Sequence, residues 1–380
     1  MKILFLSFYF EPDLSAGSFR NSPLAKHLAL NNKVHVITTS PNRYQSFEKK
    51  AANIEELGSL TIHRIDLPSH KSGLMDQILA FKVYFFAALK LVKNEKYDLV
   101  YASSSRLFTA FLGSFISKKK GIPLFLDIRD IFRETINDVV AKGFKGALIS
   151  KVIFFVENYT FKRAKHINLV SPGFKDYFEP RFKTQYSYLP NGIDDSFLFH
   201  DPLNKKVESK KLITYAGNIG ASQALHKLIP GLAKELGEGF IVRIIGDGGK
   251  KDLLVENIGS LNNVEFHPPV DRNGLLKLYQ ESDYLLVSLE DAPAFKRVLP
   301  SKLFEYAAMD KFVIGALAGY SKQFVEAEIS SSFVVNPGDF KGLAKFLKTH
   351  ELEGNISRDD FKLKFARNNI TKELALLIQG

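Results

Sequence analysis

Short apolar runs of strand-like composition alternate along the chain with segments whose apolar residues recur at helical spacing. The first half predicts strands at residues 2–7, 34–38, 60–65, 98–101, 123–127 and 166–170, and helices near 22–30, 74–94, 106–119 and 146–164. The second half predicts strands at 212–216, 240–245, 264–267, 283–288 and 312–316, and helices near 222–236, 249–258, 273–281 and from about 300. This alternation predicts an α/β protein with parallel sheets that carry helices on both faces.

The segment LPNGID at 189–194 interrupts the alternation with turn residues, and the polar run that follows to residue 211 offers little that could pack. A chain of 380 residues also suits two domains better than one. We therefore predict one doubly wound domain over residues 1–190 and a second over 191–357. A last helical stretch within 358–380 follows a polar break and is expected to cross back to the first domain.

Composition excludes several classes of protein. The chain has no cysteine, so it has neither disulfides nor a thiolate metal site or nucleophile. The opening MKILFLSFYFEPD contains one lysine and a strand-like run that ends in acids, which predicts a first strand and not a signal peptide. Apolar runs stay well short of the roughly 18 to 20 residues that span a bilayer, so we expect a cytoplasmic protein that does not cross the membrane.

The excess of positive charge lies entirely in the first half. Residues 1–190 carry 28 Lys and Arg against 16 Asp and Glu, whereas residues 191–380 carry 24 against 25. Such a field favours an anionic partner: phospholipid head groups, a lipid pyrophosphate or nucleic acid. Two helical stretches, 74–93 and 144–165, mix aromatic residues with lysines. Each either lies on a membrane surface or packs on the core with its lysines in water.

Two glycine loops follow strands in the second half, GNIG at 217–220 and GDGG at 246–249. Backbone N–H groups at the carboxyl ends of strands can bind a diphosphate. The predicted helix near Pro300 brings Ser301 to its first turn and places Lys302 and Glu305 on one side. Taken alone, that helix is equally well an ordinary crossover helix. Together, the two loops and the helix predict one crevice that binds a phosphorylated ligand.

The first half offers two further polar segments. The loop EPDLSAGSFR at 11–20 places Gly17 just before a predicted helix, where it either approaches a ligand or simply makes the turn. The segment DIRD at 127–130 puts Asp127, Arg129 and Asp130 at the end of a strand. These side chains form either a polar site that orients a substrate hydroxyl or a structural ion pair. There is no Asp-x-Asp and no His/Asp/Glu set at metal-ligand spacing, so no metal or other cofactor is expected.

These segments together, with LVSPGF, YAGNIGASQ, IIGDGG and LPSKLFEYAAMDKFVI, resemble the retaining nucleotide-sugar glycosyltransferases of family 4, which have the GT-B fold. The likeness covers nearly the whole chain. Within the family, the chain is similar to the bacterial surface-polysaccharide subgroup that includes N-acetylfucosamine transferases. It implies two Rossmann-like domains facing an interdomain cleft, with the acceptor in the first domain and the donor in the second. It also implies that Glu305 binds the donor ribose and Lys302 the diphosphate.

The chain departs from the family motif at residue 297, where Arg297 stands in place of the first acid of E-x7-E. The basic pair that the family often places after the first glycine loop is missing as well. Arg297 therefore either helps to neutralise phosphate or faces solvent. Two alternatives to a transferase stay open: a sugar-nucleotide epimerase, which has the same two-domain plan, or a non-catalytic membrane-surface protein on a degenerate scaffold, which Arg297 makes plausible.

The sequence thus predicts a metal-independent retaining transfer from a nucleotide-sugar to a lipid-pyrophosphate-linked or other saccharide acceptor. UDP is the expected carrier, with an N-acetylated amino sugar as one candidate, and the partners are an anionic inner membrane surface and no nucleic acid. The predicted catalytic residues are Asp127, Arg129, Asp130 and Lys302. The predicted acceptor-binding residues are Ser18, Arg20 and Asp130. The predicted donor-binding residues are Gly17, Gly217, Asn218, Gly220, Gly246, Asp247, Gly248, Val270, Arg297, Ser301, Lys302 and Glu305.

Overall fold

The computed structural model describes residues 1–13, 15–41, 51–68, 74–104, 107–134, 144–199, 210–352 and 356–380. The chain divides into two compact units. Unit 1 comprises Met1–Asn191 and Asn368–Gly380, and unit 2 comprises Gly192–Arg367. The sequence predicts the first boundary after residue 190, one residue earlier.

Unit 1 is built on a single sheet. Its strands are β1 (Lys2–Ser7), β2 (Lys33–Thr39), β3 (Ile54–Leu57), β4 (Leu60–Ile65), β5 (Leu99–Ser104), β6 (Leu124–Ile128), β7 (His166–Leu169) and β8 (Gln185–Ser187). They lie in the order β3-β4-β2-β1-β5-β6-β7-β8. All neighbours are parallel except β3, which pairs antiparallel with β4. The predicted parallel core of the sheet is confirmed, and the edge strand β3 makes the whole sheet mixed.

The helices of unit 1 connect these strands. They are α1 (Ala16–Ala29), α2 (Leu74–Val92), α3 (Leu107–Lys120), α4 (Phe144–Phe161) and the single turn α5 (Lys175–Phe178). Phenylalanine rings join α2 to α3, with Phe81 against Phe108 and Phe85 against Phe111.

Helix α1 begins earlier than the apolar spacing predicts. The structure starts it at Ala16, with Ser15 as the cap that accepts a hydrogen bond from the Ser18 N–H. The first two turns bury polar side chains, among them Arg20 and Asn21, and the apolar stripe begins only at Leu24. A prediction from apolar spacing therefore places the start near residue 22. Gly17, Ser18 and Arg20 lie within the helix and not in the loop before it.

Unit 2 contains a second sheet in which every pair of strands is parallel. Its strands are β9 (Lys211–Ala216), β10 (Phe240–Ile245), β11 (Val264–His267), β12 (Tyr284–Ser288), β13 (Phe312–Ala316) and β14 (Ser332–Val335), in the order β11-β10-β9-β12-β13-β14. Its helices are α6 (Asp195–Leu198), α7 (Leu225–Leu236), α8 (Lys251–Ile258), α9 (Arg272–Glu281), α10 (Lys302–Ala308), α11 (Tyr320–Glu328), α12 (Phe340–Thr349) and α13 (Asp359–Phe365). Separate apolar clusters on the two faces form its core. The prediction of two Rossmann-like α/β domains is confirmed.

The predicted last helix is two helices. Helix α13 ends at Phe365, Ala366 is extended, and α14 (Arg367–Gln379) follows. Phe361 and Phe365 pack in the core of unit 2, whereas Leu374 and Ile378 pack in the core of unit 1. Among the described helices, none is both long and apolar enough to cross a bilayer.

Candidate functional site

The two glycine loops of unit 2 lie side by side and are joined by backbone hydrogen bonds. The Gly217 N–H donates to the Ile245 carbonyl at 2.8 Å, and the Ile219 N–H donates to the Asp247 carbonyl at 2.8 Å. The Lys250 N–H returns to the Ile219 carbonyl at 2.9 Å. Neighbouring parallel strands β9 and β10 end at these loops, which explains why two segments about 30 residues apart form one surface.

Close backbone contact requires glycine at both loops. Gly217 and Gly246 each have a φ of +139°, a conformation that side chains rarely adopt. A β-carbon at residue 246 would lie 1.9 Å from the Gly217 carbonyl oxygen. The loops can therefore approach each other only without a side chain at residue 246.

Lys302 reaches the same surface from α10. A β-carbon at Gly217 would lie 2.1 Å from the Lys302 Nζ atom, so the ammonium group rests directly on the first glycine loop. It also lies 5.3 Å from the centre of the Tyr215 ring, whose hydroxyl donates to the Asn218 carbonyl. Burial lowers the pKa of Lys302, and the nearby Glu305 charge opposes that shift. No carboxylate of the described residues forms a salt bridge with Lys302, and a partly buried cation of this kind suits an anionic ligand.

The carboxylate of Glu305 lies on the first turn of α10. It accepts a hydrogen bond from Nη1 of Arg272 at 3.0 Å. The helix begins at Lys302, with Ser301 in the cap position and without a side-chain capping bond. Backbone bonds from Leu303 and Phe304 to residues 300 and 301 form the turn that leads into it, which is why the sequence prediction starts at Pro300.

Four more of the predicted donor residues, Asn218, Gly220, Asp247 and Gly248, belong to the two glycine loops themselves. Asn218 donates to Oε1 of Gln223 at 3.0 Å, and the Gly220 N–H donates to the same oxygen at 3.3 Å. The Asp247 carboxylate accepts from the N–H of Gly248 within its own loop. A β-carbon at Gly248 would meet the Ile219 backbone at 2.6 Å, so this glycine also serves loop packing. These contacts shape the two loops.

Two predicted residues lie further along the chain from the glycine loops. Val270 is exposed and precedes α9 by two residues. Arg297 ends the 3-10 turn Phe295–Arg297, partly exposed, in the connection between β12 and α10. The structure therefore brings together Gly217, Gly246 and Lys302, with Glu305 one turn further along α10.

Arg20 and Asp127 form a buried network inside unit 1. Two nitrogens of Arg20 donate to the two Asp127 oxygens at 2.8 and 2.9 Å, and Asn168 donates to Asp127 at 2.7 Å. Arg20 also donates to the Leu189 and Pro190 carbonyls. Burial alone would raise the pKa of Asp127, but the charge and hydrogen bonds of Arg20 outweigh burial and hold that pKa below its usual value.

This network bears on two of the predicted site residues. Arg20 is 3% exposed and Asp127 is fully buried, with all their strong bonds directed at each other and at the protein interior. These contacts favour a structural role for both side chains. Of the two interpretations of the segment at 127–130, the structural ion pair describes Asp127.

Arg129 lies against the start of α1. A β-carbon at Gly17 would be 2.4 Å from the Arg129 Nη1 atom, so the guanidinium covers the glycine. Burial lowers the pKa of Arg129 to about 10, with Asp127 opposing and Arg20 adding to the shift. Its buried Nε atom has no hydrogen-bond partner among the described residues. Ser18 is buried in the same helix and Asp130 is partly exposed after β6.

Across the described residues, no group of three or more His, Cys, Asp and Glu side chains is placed to hold a metal ion. The candidate surface in unit 2 offers the Lys302 ammonium group to an anion.

Comparison with known proteins defines the class. The profile described as Glycosyltransferase Family 4 matches residues 23–197, and that described as Glycosyl transferases group 1 matches residues 210–349. With two such matches along most of its length, the chain belongs to the GT-B glycosyltransferases, in family 4. The predicted family is confirmed.

Three relatives illustrate the likeness. The chain is 23% identical to a "Putative colanic acid biosynthesis glycosyl transferase WcaI" of Escherichia coli K12, over the whole of both proteins. All of the chain superposes on 98% of sucrose-phosphate synthase from Thermosynechococcus elongatus, with a TM-score of 0.78 and 15% identity. It also superposes on 99% of Anabaena HepE in complex with UDP-glucose, with a TM-score of 0.70 and 16% identity. The two structures share the fold.

Sequence reasoning missed Arg272, Asp194 and Tyr215. Arg272 and Asp194 are charged residues at the starts of α9 and α6, where a charged side chain is common and does not by itself indicate a tertiary contact. Tyr215 sits inside a continuous apolar strand, so it reads as core. A role for any of them has to be found from contacts, because spacing along the chain does not link residue 272 to residue 305.

Proposed function

We propose that this protein transfers a sugar from a UDP-sugar to a lipid-linked or saccharide acceptor in bacterial surface-polysaccharide synthesis, with retention of anomeric configuration and without a bound metal. An N-acetylated amino sugar is one candidate donor sugar. Two relatives support the proposal: one has colanic acid biosynthesis in its name, and another was solved with UDP-glucose. The retaining stereochemistry follows from the resemblance to family 4.

A single observation carries the proposal: the Lys302 ammonium lies on the first of two interlocked glycine loops, with Glu305 one turn along the same helix. The distance between the two side chains along α10 suits a ligand that carries a diphosphate and a ribose. Lys302 then neutralises the diphosphate, loop N–H groups donate to its oxygens, and Glu305 accepts from ribose hydroxyls.

In the proposed reaction, the bond between the anomeric carbon and the diphosphate oxygen breaks as the acceptor oxygen bonds to the same face of the sugar. The proton of the acceptor hydroxyl passes to a diphosphate oxygen, so no protein nucleophile is needed. Negative charge grows on the leaving diphosphate in the transition state. A preorganised cation in a site of low polarity stabilises that charge better than water does, and this role is assigned to Lys302.

In unit 1, Arg129 and Gly17 are the proposed contacts to a substrate phosphate, and Asp130 is the proposed contact to an acceptor hydroxyl. The contact between Arg129 and Gly17 and the unpartnered Nε atom of Arg129 support this assignment. For the reasons given above, Arg20 and Asp127 are left out of it. Arg297 is proposed to contribute positive charge near the donor.

Peripheral contact with the inner face of an anionic membrane is a further part of the proposal. Helices α2 and α4 expose large apolar side chains, of which Phe86 and Phe155 are 60% and 61% exposed. The exposed neighbours on α2, α3 and α4 include Lys82, Lys118 and Lys151. No exposed residue in the described parts of these three helices is acidic. Apolar side chains beside lysines on a basic unit suit anionic head groups.

Ligand screening followed by a transfer assay tests the function. Thermal unfolding is measured with UDP, GDP and ADP, and we expect UDP to raise the midpoint most, as a ligand of the folded state does. The protein is then incubated with UDP-N-acetylglucosamine, with and without a polyprenyl-pyrophosphate saccharide, in EDTA. Transfer to lipid supports the proposal.

Other results would contradict specific parts of it. Lack of stabilisation by all three nucleotides contradicts a nucleotide-sugar enzyme. Conversion of the UDP-sugar without acceptor indicates the epimerase instead. Complete loss of turnover in EDTA with recovery in magnesium or manganese contradicts metal independence alone.

A further inference from the structure

Glu305 belongs to a chain of alternating charges in unit 2. Its Oε1 atom accepts from Nη1 of Arg272, and Nη2 of Arg272 lies 3.4 Å from Oδ2 of Asp194. The same Asp194 oxygen accepts from Nη1 of Arg367 at 2.5 Å. The order is thus carboxylate, guanidinium, carboxylate, guanidinium, and all four side chains are at most 27% exposed. Partly buried ion pairs of this kind hold their geometry better than exposed ones.

The two middle members of the chain, Arg272 and Asp194, are each fixed by a second contact. The Arg272 guanidinium lies 5.2 Å from the centre of the buried Phe197 ring. The other Asp194 oxygen, Oδ1, caps α6 by accepting from the N–H and hydroxyl of Ser196. Burial would raise the pKa of Asp194, but Arg272 and Arg367 outweigh it and hold that pKa low, so the carboxylate stays charged.

The far end of the chain of charges lies where the polypeptide enters and leaves unit 2. The Ile193 N–H donates to the Phe365 carbonyl, and the Arg367 N–H donates to the Ile193 carbonyl, both at 2.8 Å. Nη2 of Arg367 donates to the Gly192 carbonyl at 3.2 Å. The segments where the polypeptide enters and leaves unit 2 are therefore hydrogen-bonded to each other beside Asp194 and Arg367, the two members of the chain of charges at this end.

At the other end, the contact to Arg272 uses only one oxygen of Glu305. No hydrogen bond from the described residues occupies Oε2. A glutamate side chain can adopt several rotamers, and an arginine that binds one carboxylate oxygen fixes the direction of the other. The Oε2 atom of Glu305, held in this way, can accept a hydrogen bond from a ligand hydroxyl.

We infer that Arg272 is a positioning residue for the donor: held by Asp194 and Arg367, it orients Glu305 so that the free carboxylate oxygen accepts from a ribose hydroxyl. This inference rests on the proposed function, in which Glu305 binds the ribose. Arg272 itself need not touch the nucleotide. Removing it should therefore weaken ribose recognition without changing recognition of the diphosphate.

Calorimetric binding of UDP and of 2′-deoxy-UDP and 3′-deoxy-UDP to the full chain tests this. For each protein, the Kd of each deoxy-nucleotide is divided by the Kd of UDP, and the larger of these two ratios is compared between variants. We expect about tenfold in the wild-type protein, the size of one hydrogen bond to a charged group. The ratio should fall to about one in E305Q and to below about threefold in R272Q, and R272Q should add nothing to E305Q.

Further variants separate positioning from a general structural effect. R272K, which keeps the charge, should restore part of the ratio, and D194N should lower it although Arg272 and Glu305 are both present. The matched control is R243Q, because Arg243 also joins two carboxylates of unit 2, Glu265 and Glu281. R243Q should leave the ratio unchanged. If R272Q does not fold, D194N and R272K still decide the question.

The contrary results are distinct. If R272Q and D194N weaken all three nucleotides equally and keep the tenfold ratio, the chain of charges is only structural and the inference is wrong. A wild-type protein that binds UDP without preference over both deoxy-nucleotides overturns it too, because Glu305 then does not read the ribose. A wild-type protein that binds no UDP contradicts the proposed function itself.

Discussion

The Nζ atom of Lys302 lies so close to Gly217 that a β-carbon at residue 217 would be only 2.1 Å from it. The two residues are 85 positions apart, and the contact exists because β9 ends in the glycine loop while α10 begins beside it. The presence of glycine at residue 217 is thus a condition for the position of the cation at residue 302.

The variant Gly217→Ala should lose donor binding. The new methyl group would displace the ammonium, and alanine is strained at a φ of +139°. We expect UDP affinity to fall at least about tenfold, the value of one charged hydrogen bond. Gly239→Ala is the matched control, because a β-carbon there meets no atom within 4 Å. Equal affinities in the two variants would contradict the account.

Binding of UDP should depend on pH through Lys302. Burial lowers its pKa, so the ammonium loses its proton at a pH below the usual lysine value of about 10.4. Affinity for UDP should decline as pH rises through that lowered pKa. The free protein should instead gain stability in this window, because the unfolded state binds more protons there.

Lys302→Arg provides the comparison, since arginine stays charged throughout. Its affinity for UDP, measured by calorimetry from pH 7 to 10, should be flat where the wild-type affinity declines. A parallel decline in both proteins would show that another group titrates.

The Arg20–Asp127 pair should contribute to stability and not to catalysis. Asp127→Asn or Arg20→Met leaves one buried charge without its partner, which costs about 3 to 5 kcal/mol. The double variant should lose less than the sum of the two, because no lone charge remains. Urea unfolding of the four proteins measures these differences.

The same pair has a predictable pH dependence. The pKa of Asp127 is lower in the folded than in the unfolded protein. The ionised carboxylate therefore stabilises the folded protein at pH values above the unfolded pKa of about 3.9, and this stabilisation is lost as the pH falls through the folded pKa. In Asp127→Asn, the free energy of unfolding should decrease less as the pH is lowered. If either single variant keeps wild-type stability, the structural assignment is wrong.

Membrane contact should depend on the exposed phenylalanines of α2 and α4. Phe86→Ser and Phe155→Ser should each lower binding to vesicles of anionic phosphatidylglycerol by about tenfold, as expected for loss of one buried aromatic side chain. Leu363→Ser, at an exposed apolar residue of α13 in unit 2, is the control. Vesicle flotation measures the difference, and an effect of the control as large as that of the phenylalanines would contradict this contact.

The fold could be predicted wherever the apolar pattern is long and regular. Strand β1 at Lys2–Ser7 and strand β13 at Phe312–Ala316 agree with the predicted bounds. Edge strand β8, Gln185–Ser187, was missed because three polar and aromatic residues make no apolar run. Strand β14 and helices α11 and α12 were left unassigned, although α12 has a clear apolar stripe.

The candidate site could be predicted only in part. Glycine loops and the Lys302 helix stand out in the sequence because strand ends and helix starts mark them. The side chain of Asp127 could not be placed, since a carboxylate at a strand end has the same sequence pattern whether it faces ligand or a buried arginine. Arg272 could not be found at all, because its contact with Glu305 spans 33 residues and depends on how α9 and α10 pack.

Titration of UDP and of uridine into the wild-type protein and into Lys302→Met shows whether Lys302 holds the diphosphate. We predict that the variant binds UDP about 10- to 100-fold more weakly, the value of a charged hydrogen bond, while its affinity for uridine changes by less than about threefold. A variant that folds and binds UDP as tightly as the wild-type protein would contradict the claim that Lys302 holds the diphosphate.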